Sequence, residues 1–333
     1  MTTLTTALRL RGYRSADLPL LSGGWLPGEL LGLPDPDRPP LADPSSVPAP
    51  AAGRPDDELC VVDGVGFVRF TELNWVHRRA RLETGLLREA SHLAGPLLEA
   101  ALVHAFSWLN LRRVHGWYTP AGPDGVPPLR AAGLAPEAEI PQALWLDGRP
   151  VSRQIWGVSR PDTAAAVTDN ATTVTDDATT GTTVPATLEQ LSPDAAARLL
   201  GEAPQDAVRG FLDLDPVTQN TALLAREITR RGLTVLRHGE ALLGCAVNPV
   251  QPRQATVATT SADPVALRAL LSFLHTYRRC TSFTAETRAG SPVLPALEAC
   301  GFTRAGVLPG HLFLTRRYHD VLVHHFTHTA LEG

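Results

Sequence analysis

The sequence predicts an α/β (α+β) chain built from two tandem copies of one module, each a mixed, twisted sheet flanked by helices. Three observations predict it. The first is self-similarity: at one constant offset and without a gap, Pro96 falls on Pro264, Thr119 on Thr287, Gly122 on Gly290, Leu129 on Leu297, Gly133 on Gly301, Pro141 on Pro309 and Leu144 on Leu312. A register kept this long fixes architecture before any motif is read. The second is apolar spacing. Leu97, Leu98, Ala101, Leu102, Ala105, Phe106 and Leu109 repeat as Val265, Ala266, Ala269, Leu270, Phe273, Leu274 and Tyr277, one face of an amphipathic helix opened by a proline. The third is the alternation of those helices with short strand-forming runs, which is the order of an α/β module.

In chain order, Val65–Leu73 and Arg81–Leu86 read as strands leading into the first long helix. Leu233–Arg237, Ala241–Val247 and Gln254–Thr259 take that place in the second half. After each helix comes a strand, Arg113–Thr119 or Thr281–Thr287, then a Gly/Pro break and a shorter helix ending at Gly133 or Gly301. Glycine there suits a left-handed cap, because it carries no Cβ to clash. Paired strands close each half: Ala143–Leu146 with Val151–Val158 across Asp147 and Gly148, and His311–Leu314 with His319–Phe326 across Thr315 and Arg316.

Two stretches have compositions that disfavour regular structure: Pro34–Asp57, dense in Pro, Asp and Ala, and Pro161–Ala186, built from Thr, Ala, Asp and Val. The second is read as a linker, which divides the chain into domains 1–160 and 187–333 around residues 161–186. A length of 333 residues with 44% apolar content agrees with two cores.

Composition removes several function classes. The net charge of −4 supplies no field to gather nucleic acid. The chain contains no lysine, so Schiff-base and phosphate-loop lysine chemistry are excluded. Cys60, Cys245, Cys280 and Cys300 form no metal-ligand or redox spacing, and they read as buried thiols. His324 and His325 point to opposite faces of a strand, so they are not expected to share a metal. No run is long enough to cross a membrane, and a cytoplasmic protein is expected.

Three stretches then carry a family resemblance. Arg81-Leu-Glu-Thr-Gly-Leu86 precedes the long helix; Leu297-Glu-Ala-Cys-Gly-Phe302 ends a helix in Gly-Phe, with Leu129-Arg-Ala-Ala-Gly-Leu134 as its weaker copy; and Arg304–Leu308, His311–Leu314 and Arg317–Leu322 form a terminal hairpin. Together they resemble the GNAT acetyltransferase superfamily, in particular its branch of ribosomal-protein N-terminal acetyltransferases. That resemblance implies a sheet splayed between two central strands. A pantetheine arm would add there like a strand, and a glycine-rich loop at a helix N-terminus would hold pyrophosphate. It also implies acyl transfer from a pantetheine thioester to the amine of a small metabolite or peptide, without a metal. Carried onto this chain, it makes Glu83 the general base, and gives the donor to Thr84, Gly85, Leu86, Leu87, Arg88, His92, Leu93, Ala94, Gly95 and Thr119.

The sequence departs from that pattern at the chemistry. The first loop keeps one glycine, Gly95, and the second, Thr259–Asp263, keeps none, with Ser261 or Asp263 reading as a helix N-cap and the acidic Asp263 repelling phosphate. The positions of the family's acid tyrosine are Leu129 and Leu297. Two donors are therefore weighed, acyl-CoA and an acyl carrier protein, whose single phosphodiester needs no pyrophosphate cradle. For the carrier, Arg78, Arg79 and Arg81 form a candidate docking patch. A catalytically silent binding module of the same fold is the alternative function, motivated by the lost glycines and tyrosine.

Overall fold

The computed structural model describes residues 8–21, 29–32, 57–120, 126–146, 149–160, 187–203, 220–248, 251–314 and 316–328. The expected linker 161–186 lies outside these residues, as does all of the Pro-rich stretch except Asp57. The chain forms two compact units. The N-terminal unit comprises Met1–Glu139, Arg153–Ala166 and Gly310–Tyr318; the C-terminal unit comprises Ile140–Ser152, Val167–Pro309 and His319–Gly333.

The N-terminal unit opens with β1 (Arg11–Gly12), a 3-10 turn and the short helix α1 (Leu18–Leu21). Then come β2 (Glu58–Val62), β3 (Gly66–Asn74) and β4 (Arg79–Leu86), antiparallel in the order β1-β2-β3-β4. A 3-10 helix over Arg88–Leu93 feeds α2 (Ala94–Val103), which ends in a π-turn at His104–Trp108. β5 (Arg113–Tyr118) then pairs with β4 in parallel, and β7 (Arg149–Ser159) pairs antiparallel with β5. Between them in sequence lie α3 (Val126–Ala131) and β6 (Ala135–Leu146). The predicted helix face is the buried one: Leu97, Leu98, Ala101 and Ala105 are 0% exposed and pack on Val68, Phe70, Leu82 and Val114 of the sheet.

The C-terminal unit repeats the plan. β8 (Glu189–Gln190), α4 (Pro193–Glu202) and α5 (Thr221–Arg230) lead into β9 (Thr234–His238), β10 (Ala241–Val247) and β11 (Gln254–Thr259). α6 (Pro264–Arg278) follows, then β12 (Ser282–Arg288), α7 (Leu294–Ala299), β13 (Thr303–Leu314) and β14 (Arg317–Thr327), the last two apart from Gly310–Tyr318, which belong to the N-terminal unit. The strand order is β8-β9-β10-β11-β12-β14, with only the β11–β12 pair parallel. α6 buries Ala266, Leu267, Leu270, Leu271 and Leu274. Its face is rotated from the one predicted, for Val265 and Tyr277 are exposed. Residues 267, 270, 271 and 274 form the i, i+3, i+4, i+7 row, and Val265 falls on the opposite side of the helix.

The glycine caps behave as expected. Gly133 and Gly301 take φ of +83° and +86°, and the amides of Leu134 and Phe302 close back on the carbonyls of Leu129 and Leu297. The closing strands β6, β7, β13 and β14 run longer than the predicted hairpins. Helices α4 and α5 and strand β2 carry no counterpart in the sequence reading, although Ser192 and Asn220 cap the two helices by accepting N–H bonds.

Candidate functional site

Each unit has one place where parallel strands part. In the N-terminal unit the β4–β5 ladder runs from Arg79↔Arg113 to Arg81↔His115. In the C-terminal unit the β11–β12 ladder runs from Gln254↔Ser282 to Thr256↔Thr284. Beyond those registers Leu82–Leu86 diverges from Gly116–Tyr118, and Val257–Thr259 from Ala285–Arg288. Such a gap exposes two rows of backbone donors and acceptors that need partners.

In the N-terminal unit the partners come from the chain itself. Glu29–Gly32 lies between β4 and β5, bridging in parallel to both, Glu29 to Trp117 and Gly32 to Gly85. The Leu30 amide donates to the Trp117 carbonyl (2.7 Å) and the Thr84 amide to the Glu29 carbonyl (2.9 Å). The Gly32 amide donates to the Thr84 carbonyl, and the Leu86 amide to the Gly32 carbonyl, both at 2.9 Å. Thr84 Oγ1 donates to the Leu30 carbonyl (2.5 Å). Leu30 is 0% exposed, and its side chain fills the space that a Cβ on Gly116 would need. Glu29 ends this segment in a buried socket. Its carboxylate accepts from the Thr119 amide (2.9 Å), Thr119 Oγ1 (2.7 Å) and Arg153 Nε (3.0 Å), with Arg153 Nη2 at 2.8 Å.

The residues expected to hold a donor are therefore placed as follows. Thr84, Gly85, Leu86 and Thr119 are brought together at the gap, where groups of Thr84, Leu86 and Thr119 bond to residues 29–32 and Gly85 lies opposite Gly32. Gly85 is required by packing, since a Cβ there would sit 1.9 Å from the Phe67 ring. The Leu87 amide donates to the Val65 carbonyl, Arg88, His92 and Leu93 lie in the 3-10 helix, and Ala94 and Gly95 start α2. Glu83 is buried on β4 with Arg81 Nη2 at 3.4 Å and Arg69 Nη1 at 3.6 Å, and its Oε2 accepts no hydrogen bond among the described residues. Of the three arginines expected to form a docking patch, Arg79 is 2% exposed and contacts the His311 ring. Arg78 is bonded to Asn110, while Arg81 pairs with Glu72 and Glu83.

Beside the paired end of the β4–β5 ladder the unit holds groups that the sequence reading missed. Arg113 is buried in a bidentate pair with Glu137, and its Nε lies 3.3 Å from His311 Nδ1. His115 and His311 meet edge to face at 4.9 Å. Burial, then the neighbouring arginines, holds both imidazoles well below the usual histidine range, so both are neutral near pH 7. No spacing in the sequence marks Glu29, Arg153 or His311, because each reaches the β4–β5 pair through a different element.

The C-terminal gap is built differently. Thr287, the repeat partner of Thr119, shares a 3.0 Å hydrogen bond with His324 Nε2 of β14, whose imidazole burial pushes down to about 4. His325 faces the other way, with Ser282 Oγ at 3.2 Å, as the strand alternation predicts. Among the described residues no segment bridges into this gap. The loop at its end spends its amides locally. Ser261 N donates to Thr259 Oγ1, Asp263 N to Ser261 Oγ, and Val265 N to Asp263 Oδ1, so of the two residues expected to cap α6 it is Asp263 that does.

No protein-family model matches this sequence, and no curated protein matches it. Similar solved structures do exist. One is a spermidine N-acetyltransferase from Vibrio cholerae in complex with CoA and spermine, 17% identical, covering 46% of this chain and 96% of that one with a TM-score of 0.38. Another is spermidine/spermine N-acetyltransferase from the same organism in complex with manganese ions, 18% identical over 46% of this chain and 93% of that one, with a TM-score of 0.38.

One trio among the described residues has metal-ligand atoms within reach of each other: Glu58, Cys60 and His104, all within 4.8 Å. Those atoms already serve one another. His104 Nε2 lies 2.7 Å from Glu58 Oε1, and burial followed by the Glu58 charge pushes the Cys60 thiol up to about 12. The trio is a histidine–carboxylate hydrogen bond beside a protonated thiol. No described helix is long and apolar enough to cross a membrane.

Proposed function

We propose that the chain is an amine N-acyltransferase that takes its acyl group from a pantetheine thioester at the β11–β12 gap of the C-terminal unit. The observation that carries this reading is the parting of a parallel strand pair beyond Thr256↔Thr284, at the N-terminus of the long helix α6. An extended amide-bearing arm fits such a gap by adding to a strand edge. The N-terminal gap, by contrast, has its backbone groups taken.

Holding an amine beside a thioester lowers the barrier chiefly by proximity, and a thiolate leaves without an acid. In this reading the neutral His324 imidazole, hydrogen-bonded to Thr287, relays to solvent the proton that the attacking amine sheds, being at about 4 too weak a base to keep it. The loop amides spent on Thr259, Ser261 and Asp263 favour a donor with one phosphate over one with pyrophosphate, which keeps an acyl carrier protein as donor beside acyl-CoA. Acceptors in this reading are small amines, including polyamines such as spermidine, and peptide N-termini.

The test is amine-dependent thiol release from acetyl-CoA and from an acylated carrier protein, across polyamines, amino sugars and peptides. Release that is retained in Glu83→Gln and lost in His324→Gln is the expected pattern. The absence of release with every donor and amine would sink the proposal. A second reading, a non-catalytic binding module, is favoured by the filled N-terminal gap and the capped loop; it requires donor binding without release.

A further inference from the structure

We infer that residues 29–32 are a built-in occupant of a second pantetheine slot, and that they close the N-terminal unit to thioester donors. This rests on the reading that a splayed parallel pair in this fold receives pantetheine.

Three features of the segment support it. It satisfies the strand-edge groups that an extended amide ligand would use, namely the Thr84 amide and carbonyl, the Leu86 amide and the Trp117 carbonyl. It seals the gap sterically, because Leu30 is fully buried against Gly116. Its Glu29 carboxylate is fixed by Thr119 and Arg153 at the far end, so the segment is anchored there. The contrast with the other unit is specific. Thr119 and Thr287 are repeat partners, yet Thr119 binds the inserted segment while Thr287 binds His324 on an adjacent strand. One unit has filled its gap with its own chain, and the other has turned the same hydroxyl to a neighbour.

The experiment is amide hydrogen exchange with S-acetyl-pantetheine as probe, which needs no phosphate site, on the wild-type chain, Leu30→Ala, and Leu30→Ala with Glu29→Gln. In the wild type, the Thr84 and Leu86 amides are expected to be protected and indifferent to the probe. In Leu30→Ala they are expected to exchange at least roughly thirtyfold faster, the low end for emptying a fully buried leucine site. The probe should then restore protection. The milder single variant keeps the Glu29 anchor and guards against a double variant that fails to fold. Two outcomes overturn the inference: probe-induced protection at Thr84–Leu86 in the wild type, or opened amides in the variants that the probe leaves unprotected. Amides of Val257–Thr259 serve as the internal reference. Probe-induced protection there, with none at Thr84–Leu86 in the variants, sinks the occupant and spares the transferase. Protection at neither place sinks both.

Discussion

Replacing Glu29 with alanine tests how firmly the inserted segment is held. The carboxylate is 4% exposed and accepts hydrogen bonds from Thr119 N, Thr119 Oγ1 and Arg153 Nε. Burial pulls the Arg153 guanidinium below its ordinary value and Glu29 is the first group opposing that, so the substitution removes the main compensation for a buried cation. Breaking one side of a buried pair typically costs about 3–5 kcal/mol, a large share of the roughly 5–15 kcal/mol that holds a domain together. Trp75, Trp108, Trp117 and Trp156 lie in the N-terminal unit, so urea unfolding followed by tryptophan fluorescence reports chiefly on it. A fall in unfolding free energy of about 3 kcal/mol or more is expected. Glu29→Gln, which keeps an acceptor for Thr119, should lose less, and adding Arg153→Met to Glu29→Ala should recover part of the loss. A Glu29→Ala cost below about 1 kcal/mol, the range of a surface pair, would refute the reasoning.

Other outcomes follow from single contacts. Gly85→Ala sets a methyl 1.9 Å from the Phe67 ring and should cost about 1–3 kcal/mol in urea unfolding, with Phe67→Leu beside it restoring most of that. Asp263→Ala removes the α6 N-cap and should cost about 1 kcal/mol; by deleting a carboxylate at a helix N-terminus it should also tighten coenzyme A binding, read by calorimetry. His324 and His325 both titrate at about 4 when folded, against 6.5 ordinarily, mainly through burial. The unfolded chain gains protons between those values while the folded chain does not, so stability should fall as pH drops from 6.5 to 4 and level off below. His325→Gln should flatten that slope, and a urea midpoint constant across the window would contradict the assignment.

The repeat made much of the fold legible. Gly133 and Gly301 announced their left-handed caps, Asp263 announced its helix, and Gln254–Thr259 announced its strand, because each signal is local. The face of α6 was read one step off, since apolar Val265 and Tyr277 sit on its solvent side. The gap was legible as a place and illegible as an environment. Residues 81–86 pointed to the strand, but nothing local shows that residue 29 reaches Thr119, or that residue 311 meets residues 79 and 113. Those pairings depend on tertiary closure between distant elements, which periodicity does not encode.

The N-terminal unit is also assembled out of sequence, from Met1–Glu139, Arg153–Ala166 and Gly310–Tyr318. Its last piece brings His311 to Arg79 and Arg113, and Phe313, whose amide donates to His77 Nδ1. During synthesis that piece leaves the ribosome long after Met1–Glu139 and Arg153–Ala166. Until then the nascent first unit carries buried-site arginines without their histidine neighbour, so its completion awaits translation of Gly310–Tyr318, and a gene cut at the Thr-rich stretch encodes an unfinished half.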